Sequence, residues 1–407
     1  MNDCMRPCSI LVVSEMNVTP STMSSTEMMY LNIIKGLCDS GFDVRVLAIC
    51  DEREREGVID TLARMPLRSA LISRRMTRTK PRGKYVQLKD MLLSWLLAGP
   101  TSNDEIDLAR LLSCGCGILL SLAPSIDSVC VCKGLLNVMH FDRFIQYWSD
   151  PIGLAGLNPE SFGRKRLPFK CLEGSILDKA DEIVYGTKTL LYFQKRLFPK
   201  QAKKMRAVDV AYIENDQEFE KISKNNVSDL RQKLRIAYCG DYYRSVRNLM
   251  PLLHAAKLLS QEIELDIFGR GDIADEGVPN VVFHGRVSPD VSRRVEVHSD
   301  VLICLLNKSC IQIPGKIFYN ANLNKPILVI KDGIHGDEIV EYLKTFKRFE
   351  FCDNTTDSIC HALNKIAVNY ACSSRPPSSE LLLRLKPAKV AQDIIEGENN
   401  LSGEPCD

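Results

Sequence analysis

Three segments in the second half of the chain set basic side chains beside glycine at the ends of apolar runs, a composition suited to a phosphorylated ligand. In the first, the apolar run Ile236-Ala237-Tyr238 leads to Gly240, then to Arg244, Arg247 and Asn248, with a helical pattern over Leu249–Ser260. Backbone N–H groups, a helix dipole and guanidinium groups converge there on the place an anion would occupy, and a diphosphate suits it. A glycine that serves only a strand-to-helix turn, followed by solvated arginines, is the competing reading. The second segment runs from Leu265 to Asp272 and ends in Gly269-Arg270-Gly271. With Ala274 it fits loosely the Gly-x-Gly-x-x-Ala pattern of dinucleotide sites, but that pattern must open a helix, and Val281 already begins another apolar strand after Gly277 and Pro279. It reads instead as a tight turn that lets a ligand or another stretch of backbone come close. The third segment, Ile311 to Tyr319, puts Pro314-Gly315 before Lys316 in the first turn of a helix, and Lys325-Pro326 opens the next buried strand. Lys316 and free N–H groups would meet phosphates there; a lysine placed by chance in an exposed first turn is the alternative.

Groups that must sit at strand ends need parallel α/β layers behind them. Ile10–Val13 predicts a strand, Thr19–Thr26 a loop and Glu27–Asp39 a helix, which Gly41 ends before a second strand over Val44–Ile49; this is a parallel βαβ unit. Further strands are expected at Ser128–Cys132, Phe144–Tyr147 and Glu182–Tyr185, and helices near Asp104–Leu112 and Lys170–Lys179, which makes the first domain doubly wound. The polar stretch 214–233 reads as a linker. The alternation then repeats, with strands at 235–238, 265–268, 281–283, 301–305 and 326–330 and helices at 249–260 and 316–323. At 407 residues the chain suits two domains, each of roughly 150–200 residues. The expected limits are residues 1–213 and 234–385, with a last helix at about 386–397 packing back on the first domain, a tail over 398–407, and a loosely structured stretch at Ser373–Glu380.

Taken in order, these residues resemble GT-B glycosyltransferases, above all the retaining family-4 type, and the resemblance extends over nearly the whole chain. It rests on Gly41-Phe42-Asp43-Val44 after the first helix, Tyr147-Trp148-Ser149-Asp150-Pro151, Leu177 to Ile183, Asn280 to Val287, Ser299 to Ile303, Pro314 to Phe318 and Lys325-Pro326. It implies an α/β GT-B fold, two Rossmann-like doubly wound parallel-sheet domains facing across a cleft. It also implies transfer of a sugar from a nucleoside diphosphate sugar, bound mainly by the second domain, to a glycan or lipid-linked acceptor held by the first, with no metal ion or other cofactor. The donor site implied comprises Gly240, Arg244, Arg247, Asn248, Gly269, Gly285, Arg286, Val287, Pro314, Gly315, Lys316 and Tyr319. Arg247 and Lys316 would stabilise charge on the leaving diphosphate, and residues 285–287 would grip the nucleobase through backbone. Asp150 is the implied contact to the acceptor hydroxyl or the sugar, with a capping Asp before Pro151 as the alternative. Two glutamates common in the family fall at positions held here by Ile311 and Tyr319. A tyrosine hydroxyl can reach a ribose oxygen, with weaker hydrogen bonding than a carboxylate. Ser21, Ser24 and Ser25 replace the family's paired glycines in the first loop.

A net charge of +2 supplies no global field for nucleic acid. The one local departure is the basic run that includes Arg74, Arg75, Arg78, Lys80, Arg82 and Lys84, which reads either as an acceptor-side or membrane-facing surface or as solvated loop charge. Sixteen cysteines scatter through apolar segments with a mixed, polar Met1–Ser9 ahead of them, which predicts a reduced, cytoplasmic protein at most peripheral to the inner face of the cell membrane. The longest uncharged stretch, Leu111–Ile126, is broken by Gly115, Gly117 and Pro124, whereas a spanning helix needs about 20 mainly apolar residues. The pairs Cys114/Cys116 and Cys130/Cys132 lack zinc-knuckle spacing, so no metal is expected. Two further readings stand beside transfer: a catalytically silent GT-B module that binds nucleotide or a partner protein, and a sugar-nucleotide epimerase of the same fold.

Overall fold

A computed structural model of the chain describes residues 8–18, 23–74, 117–123, 126–151, 167–212, 233–275, 277–308, 311–369 and 377–397. The first sheet holds β1 (Ser9–Glu15), β2 (Asp43–Cys50), β3 (Ser69–Arg74), β4 (Ile118–Ala123), β5 (Arg143–Trp148), β6 (Glu182–Tyr185) and β7 (Met205–Ala207), in the order β3-β2-β1-β4-β5-β6-β7. The second holds β8 (Leu234–Cys239), β9 (Ile263–Phe268), β10 (Val281–Gly285), β11 (Val301–Leu305), β12 (Ile327–Lys331) and β13 (Glu350–Asp353), in the order β10-β9-β8-β11-β12-β13. Every pairing in both is parallel. Each sheet therefore reverses its winding beside its first strand, at β1/β4 and at β8/β11, and crevices open outside the carboxyl ends of those pairs.

The first sheet is buried on both faces because its strands are apolar at every position rather than at alternate ones. In β1, Ile10 and Val12 enter one apolar cluster while Leu11 and Val13 enter another. Helix α1 (Ser25–Asp39) covers the first of these faces with Met29, Tyr30, Ile33, Ile34 and Leu37, spaced three and four apart. Its start is set by a capping box, in which the Glu27 N–H donates to the Ser24 hydroxyl and the Ser24 N–H donates to the Glu27 carboxylate. Helices α2 (Arg55–Ala63), α3 (Ile126–Val138), α4 (Leu167–Leu177) and α5 (Lys188–Leu197) complete the layers around this sheet. Around the second lie α6 (Met250–Leu258), α7 (Pro289–His298), α8 (Gly315–Asn320), α9 (Gly336–Lys344) and α10 (Thr356–Val368), followed by α11 (Ser379–Arg384) and α12 (Pro387–Glu396).

Two expectations are corrected. Ser128–Cys132, expected as a strand, lies within α3. Its Val-Cys-Val-Cys alternation mimics a period of two, but Val129, Cys132 and Leu135 recur at helical spacing and are buried together. The strand that pairs with β1 and β5 is instead Ile118–Ala123, inside the long uncharged stretch. The end of the stretch expected to be loose, Ser379 and Glu380, forms the first turn of α11, capped by the Ser378 hydroxyl, which accepts from the Leu381 N–H. The predicted helix Asp104–Leu112, residues 373–376 and residues 214–232 of the predicted linker lie outside the described residues. No helix among the described residues is long and apolar enough to cross a membrane.

The last helix, α12, returns to the first sheet and packs on α1. Arg143 donates to the Ile395 carbonyl (2.9 Å), and Arg206 donates to those of Asp393 (2.8 Å) and Ile394 (2.5 Å). Glu182 lies between the two guanidinium groups and accepts from both. Cations thus cover the negative end of the helix dipole. A Cβ at residue 36 would overlap the Pro387 carbonyl, so α1 and α12 approach as closely as they do because residue 36 is glycine. Gly36→Ala should cost about 1–3 kcal/mol by overpacking, read as a lower urea midpoint, and should speed amide exchange in α12 before it does so in β1.

Candidate functional site

The carboxyl ends of β8 and β11, the switch point of the second sheet, form the floor of a cavity of about 260 Å³. Gly240, Asp241 and Arg247 line it from β8; Phe268 and Gly269 from β9; Arg286 and Val287 from beyond β10; and Pro314, Gly315, Lys316 and Tyr319 from α8 and its approach. Met23, Ser24, Ser25 and Met28 close it from the start of α1, so both sheets contribute. Gly269 sits at φ +142°, and a Cβ there would overlap the Gly240 carbonyl; one at Gly271 would overlap the Tyr242 carbonyl. The Gly240 N–H donates to Phe268 O (2.8 Å) and the Tyr242 N–H to Arg270 O (2.8 Å). The Gly-x-Gly pair therefore serves a backbone-to-backbone seam joining the loops after β8 and β9, which holds Arg247 in place.

Arg247 follows a turn whose N–H groups donate to the Tyr243 carbonyl. Its Nε donates to Asn307 Oδ1 (2.7 Å) and its Nη1 to the Asp241 carbonyl (3.3 Å). Lys316 is held differently. Its Nζ donates to Glu296 Oε1 (2.6 Å) and to the Ser292 hydroxyl (2.9 Å), both on α7. Glu296 is fully buried, while the Lys316 side chain keeps 32% of its surface. Burial opposes the ammonium charge, but Glu296 outweighs it and holds the Lys316 pKa above the ordinary lysine value. Beside this pair, the Arg293 guanidinium lies 4.5 Å from the centre of the Tyr319 ring. Lys325 donates to the carbonyls of Glu296 (2.8 Å), Val297 (2.6 Å) and Ser299 (2.5 Å), closing the end of α7; burial lowers its pKa to about 8. Cys239 and Cys304 also line the cavity, and burial lifts both thiols to about 12, so they remain neutral.

A second cavity of about 120 Å³ adjoins the first and shares Ser25, Tyr212, Arg247, Pro314 and Gly315 with it. Its far wall is the carboxyl end of the first sheet: Ser149, Asp150 and Pro151 after β5, and Gly186 and Thr187 after β6. Asp150 is partly covered. Its Oδ1 accepts from Gln312 Nε2 across the cleft and its Oδ2 from the Ser149 hydroxyl (3.3 Å), which in turn pairs with the Tyr30 hydroxyl (2.8 Å). Burial raises the Asp150 pKa from 3.8 to about 6, and the hydrogen bonds from Ser149 and Gln312 only partly offset this.

Of the expected donor residues, the structure brings Gly240, Arg247, Gly269, Arg286, Val287, Pro314, Gly315, Lys316 and Tyr319 to the first cavity. It does not bring Arg244, Asn248 or Gly285 there. The exposed Arg244 N–H donates to Asp272 Oδ1 (2.8 Å) and its Nη2 reaches Met250 Sδ; Asn248 Oδ1 accepts from the Met250 N–H (3.2 Å). Gly285 takes φ +71°, and its carbonyl accepts from the Gly269 N–H (2.8 Å). Ile311 is buried in the apolar cluster of the first sheet. Ser24 is spent in its capping box and Ser25 packs against Gly315, while Ser21 lies outside the described residues. So do Arg75, Arg78, Lys80, Arg82, Lys84 and the side chain of Arg74. Sequence reasoning missed Glu296, Asn307 and Gln312. No spacing marked them, because each acquires its role only when α7, the end of β11 and β5 meet.

No protein-family model matches the sequence, and no curated protein matches it either. Solved structures match the fold over nearly its full length. Anabaena HepE, solved in complex with UDP and glucose, is 11% identical over 96% of this chain and 98% of its own, with a TM-score of 0.59. Sucrose-phosphate synthase from Thermosynechococcus elongatus is 12% identical over 96% and 94%, also at 0.59. The UDP-GlcNAc 2-epimerase of Neisseria meningitidis bound to UDP-GlcNAc is 11% identical over 95% and 97%, at 0.53. The chain has the GT-B architecture, with two parallel-sheet α/β domains meeting at a cleft.

The environment of Asp150 makes a pH-dependent prediction. Its folded-state pKa lies above the unfolded value, so the stability linked to its protonated form is complete below pH 3.8 and is lost as pH rises through 6. Asp150→Asn should therefore leave stability unchanged near pH 3.5 and raise it by about 1–2 kcal/mol at pH 7.5. Equal melting-temperature shifts at the two pH values would contradict this.

Proposed function

We propose that this chain transfers a sugar from a nucleoside diphosphate sugar to an acceptor. The observation that carries the reading is the pair of adjoining cavities at the carboxyl ends of the two sheets, with Arg247 and Gly315 lining both. A diphosphate in the larger cavity would meet Arg247, Lys316 and Arg286, and the transferred sugar would lie towards Asp150 and Gln312. Cationic donors placed where charge develops on the leaving group supply the dominant catalytic effect for such chemistry. Arg247 is the principal grip, because Lys316 arrives already paired with Glu296. The family-4 resemblance of the sequence supports retention of configuration, independence of metal, and a role in surface-glycan assembly on the cytoplasmic side. The basic run from Arg74 to Lys84 favours a lipid-linked acceptor on an anionic surface.

A second reading, a nucleotide-binding module without transfer, is favoured by one observation. Ile311 lines the smaller cavity and Tyr319 the larger one, so the family glutamate positions face the cleft with an alkyl group and a phenol and offer no carboxylate to the sugar or ribose.

The test is a binding and turnover series. UDP, GDP and ADP are compared by thermal shift, and one should stabilise the protein, by about 2.7 kcal/mol at a hundredfold excess over its Kd. Arg247→Ala should weaken that binding by about 10- to 100-fold, and Lys316→Ala by less, while lowering stability because Glu296 is left buried and unpaired. Release of nucleoside diphosphate from the matching sugar donor only when acceptor is added supports transfer. Sugar-nucleotide isomerisation without acceptor would identify an epimerase, and binding without either reaction the silent module. If no diphosphate stabilises the wild-type protein, the donor site itself is misassigned.

A further inference from the structure

The loop after β11 contains a buried polar residue that lines neither cavity yet holds a residue that lines both. Asn307 is 3% exposed, and both ends of its amide are committed. Oδ1 accepts from Arg247 Nε (2.7 Å), and Nδ2 donates to the Gln312 carbonyl (2.9 Å). The polarity of these partners fixes the amide. Turned over, it would set its NH2 group against a guanidinium N–H and its oxygen against a carbonyl, two repulsive contacts in place of two bonds. With Nε held by Asn307 and Nη1 by the Asp241 carbonyl, the plane of the Arg247 guanidinium is fixed at the wall shared by the two cavities. The same amide holds the 311–316 loop by its backbone at Gln312, the residue whose side chain crosses to Asp150.

We propose that Asn307 is a positioning residue for the diphosphate: it fixes the plane of Arg247 at the wall that the two cavities share. This rests on the reading of Arg247 as a diphosphate ligand. Asn307 itself touches no substrate. Its effect passes through Arg247, so removing it must remove what Arg247 contributes and little else. A bidentate guanidinium contact depends on its plane as well as its charge, and an Arg247 free to rotate keeps the charge but loses the geometry.

The experiment measures, by calorimetry, the affinity of the full chain for UDP and UMP, GDP and GMP, and ADP and AMP. It compares wild type, Asn307→Ala, Arg247→Ala and the double variant. For the base that binds, Asn307→Ala should lower the preference for diphosphate over monophosphate by about tenfold, while monophosphate affinity stays within about twofold. The double variant should be no worse than Arg247→Ala, since the two residues act as one unit. Asn307→Ser, which has a smaller polar group of shorter reach, gives the same readout if the alanine variant does not fold. A folded Asn307 variant with the wild-type preference overturns the inference, as do losses that add in the double variant; in either case the donor site stands. A wild-type protein that prefers no diphosphate to its monophosphate overturns the donor reading and this inference together.

Discussion

The two sheets bring their carboxyl ends together at one point because residue 315 has no side chain. A Cβ on Gly315 would overlap the Tyr212 hydroxyl and stand 2.9 Å from the Ser25 Cβ, closer than such atoms approach. Tyr212 lies beyond the last strand of the first sheet, and Ser25 opens α1. On the other side of this contact, the Tyr212 ring stacks on Phe318 with centroids 6.0 Å apart and planes 5° from parallel. Gly315 therefore does more than start a short helix. It lets α8 seat against the first sheet while the residues on either side of it, Pro314 and Lys316, still face the cavity. A larger residue would separate the two cavities that now share a wall.

Given that contact, the charges around the cavity fall into two kinds. Lys316 brings its own counter-ion in Glu296, a carboxylate with no solvent exposure that would be costly to leave alone. The pair ties α7 to α8, and Lys325 strengthens the same region by covering the carbonyls at the end of α7. Arg247 is fixed mainly by neutral partners, an amide and a carbonyl, which orient it without cancelling its charge. An anion entering the cavity thus meets a neutralised lysine and an oriented arginine. The two residues, alike in a sequence motif, differ in what each can offer a ligand.

Five strands of the second sheet are legible in the sequence because they are short apolar runs bounded by glycine, proline and charge, and Val301–Leu305 is read to the residue, whereas β13, only Phe351 and Cys352 between two acids, is missed. The first sheet is harder. β4 hides in a long uncharged stretch that offers no boundaries, and α3 carries an alternation that imitates a strand. The cavity-lining glycines and basic residues could be read because glycine and cations at strand ends have a local physical meaning. Their supports could not. The sequence of α7, Pro-Asp-Val-Ser-Arg-Arg-Val-Glu-Val-His, has the look of a solvated helix, yet Ser292, Arg293 and Glu296 are buried. They are covered by α8 and its flanks, where Arg293 Nη2 donates to Asn322 Oδ1 (3.2 Å) and Glu296 accepts from Lys316. Whether a polar residue faces solvent or a neighbouring helix depends on a packing partner some twenty residues away in sequence, and no local pattern encodes that.

The fate of the two glutamate positions follows from the same packing. Ile311 enters the apolar cluster that holds Trp148, Leu190 and Phe193, so the approach to α8 is anchored to the first sheet by burial rather than by a polar contact to a ligand. Tyr319 gives its ring face to Arg293 and lies 5.5 Å from Lys316 Nζ, which places an aromatic surface where a carboxylate would compete with Glu296 for the same cations. A second acid at residue 319 would put two carboxylates around one lysine and one arginine, and the buried Glu296 has already taken that place. For the proposed sugar, the polar groups left to discriminate would lie on the first-sheet side of the cleft, where Ser149, Asp150 and Thr187 face Gln312 across the smaller cavity. Hydrogen-bonding groups of this kind reject a ligand that leaves them unpaired far more strongly than an apolar wall rejects a poor fit. On the proposed reading, a nucleoside diphosphate would be held from the second-sheet side and its sugar selected from the first-sheet side.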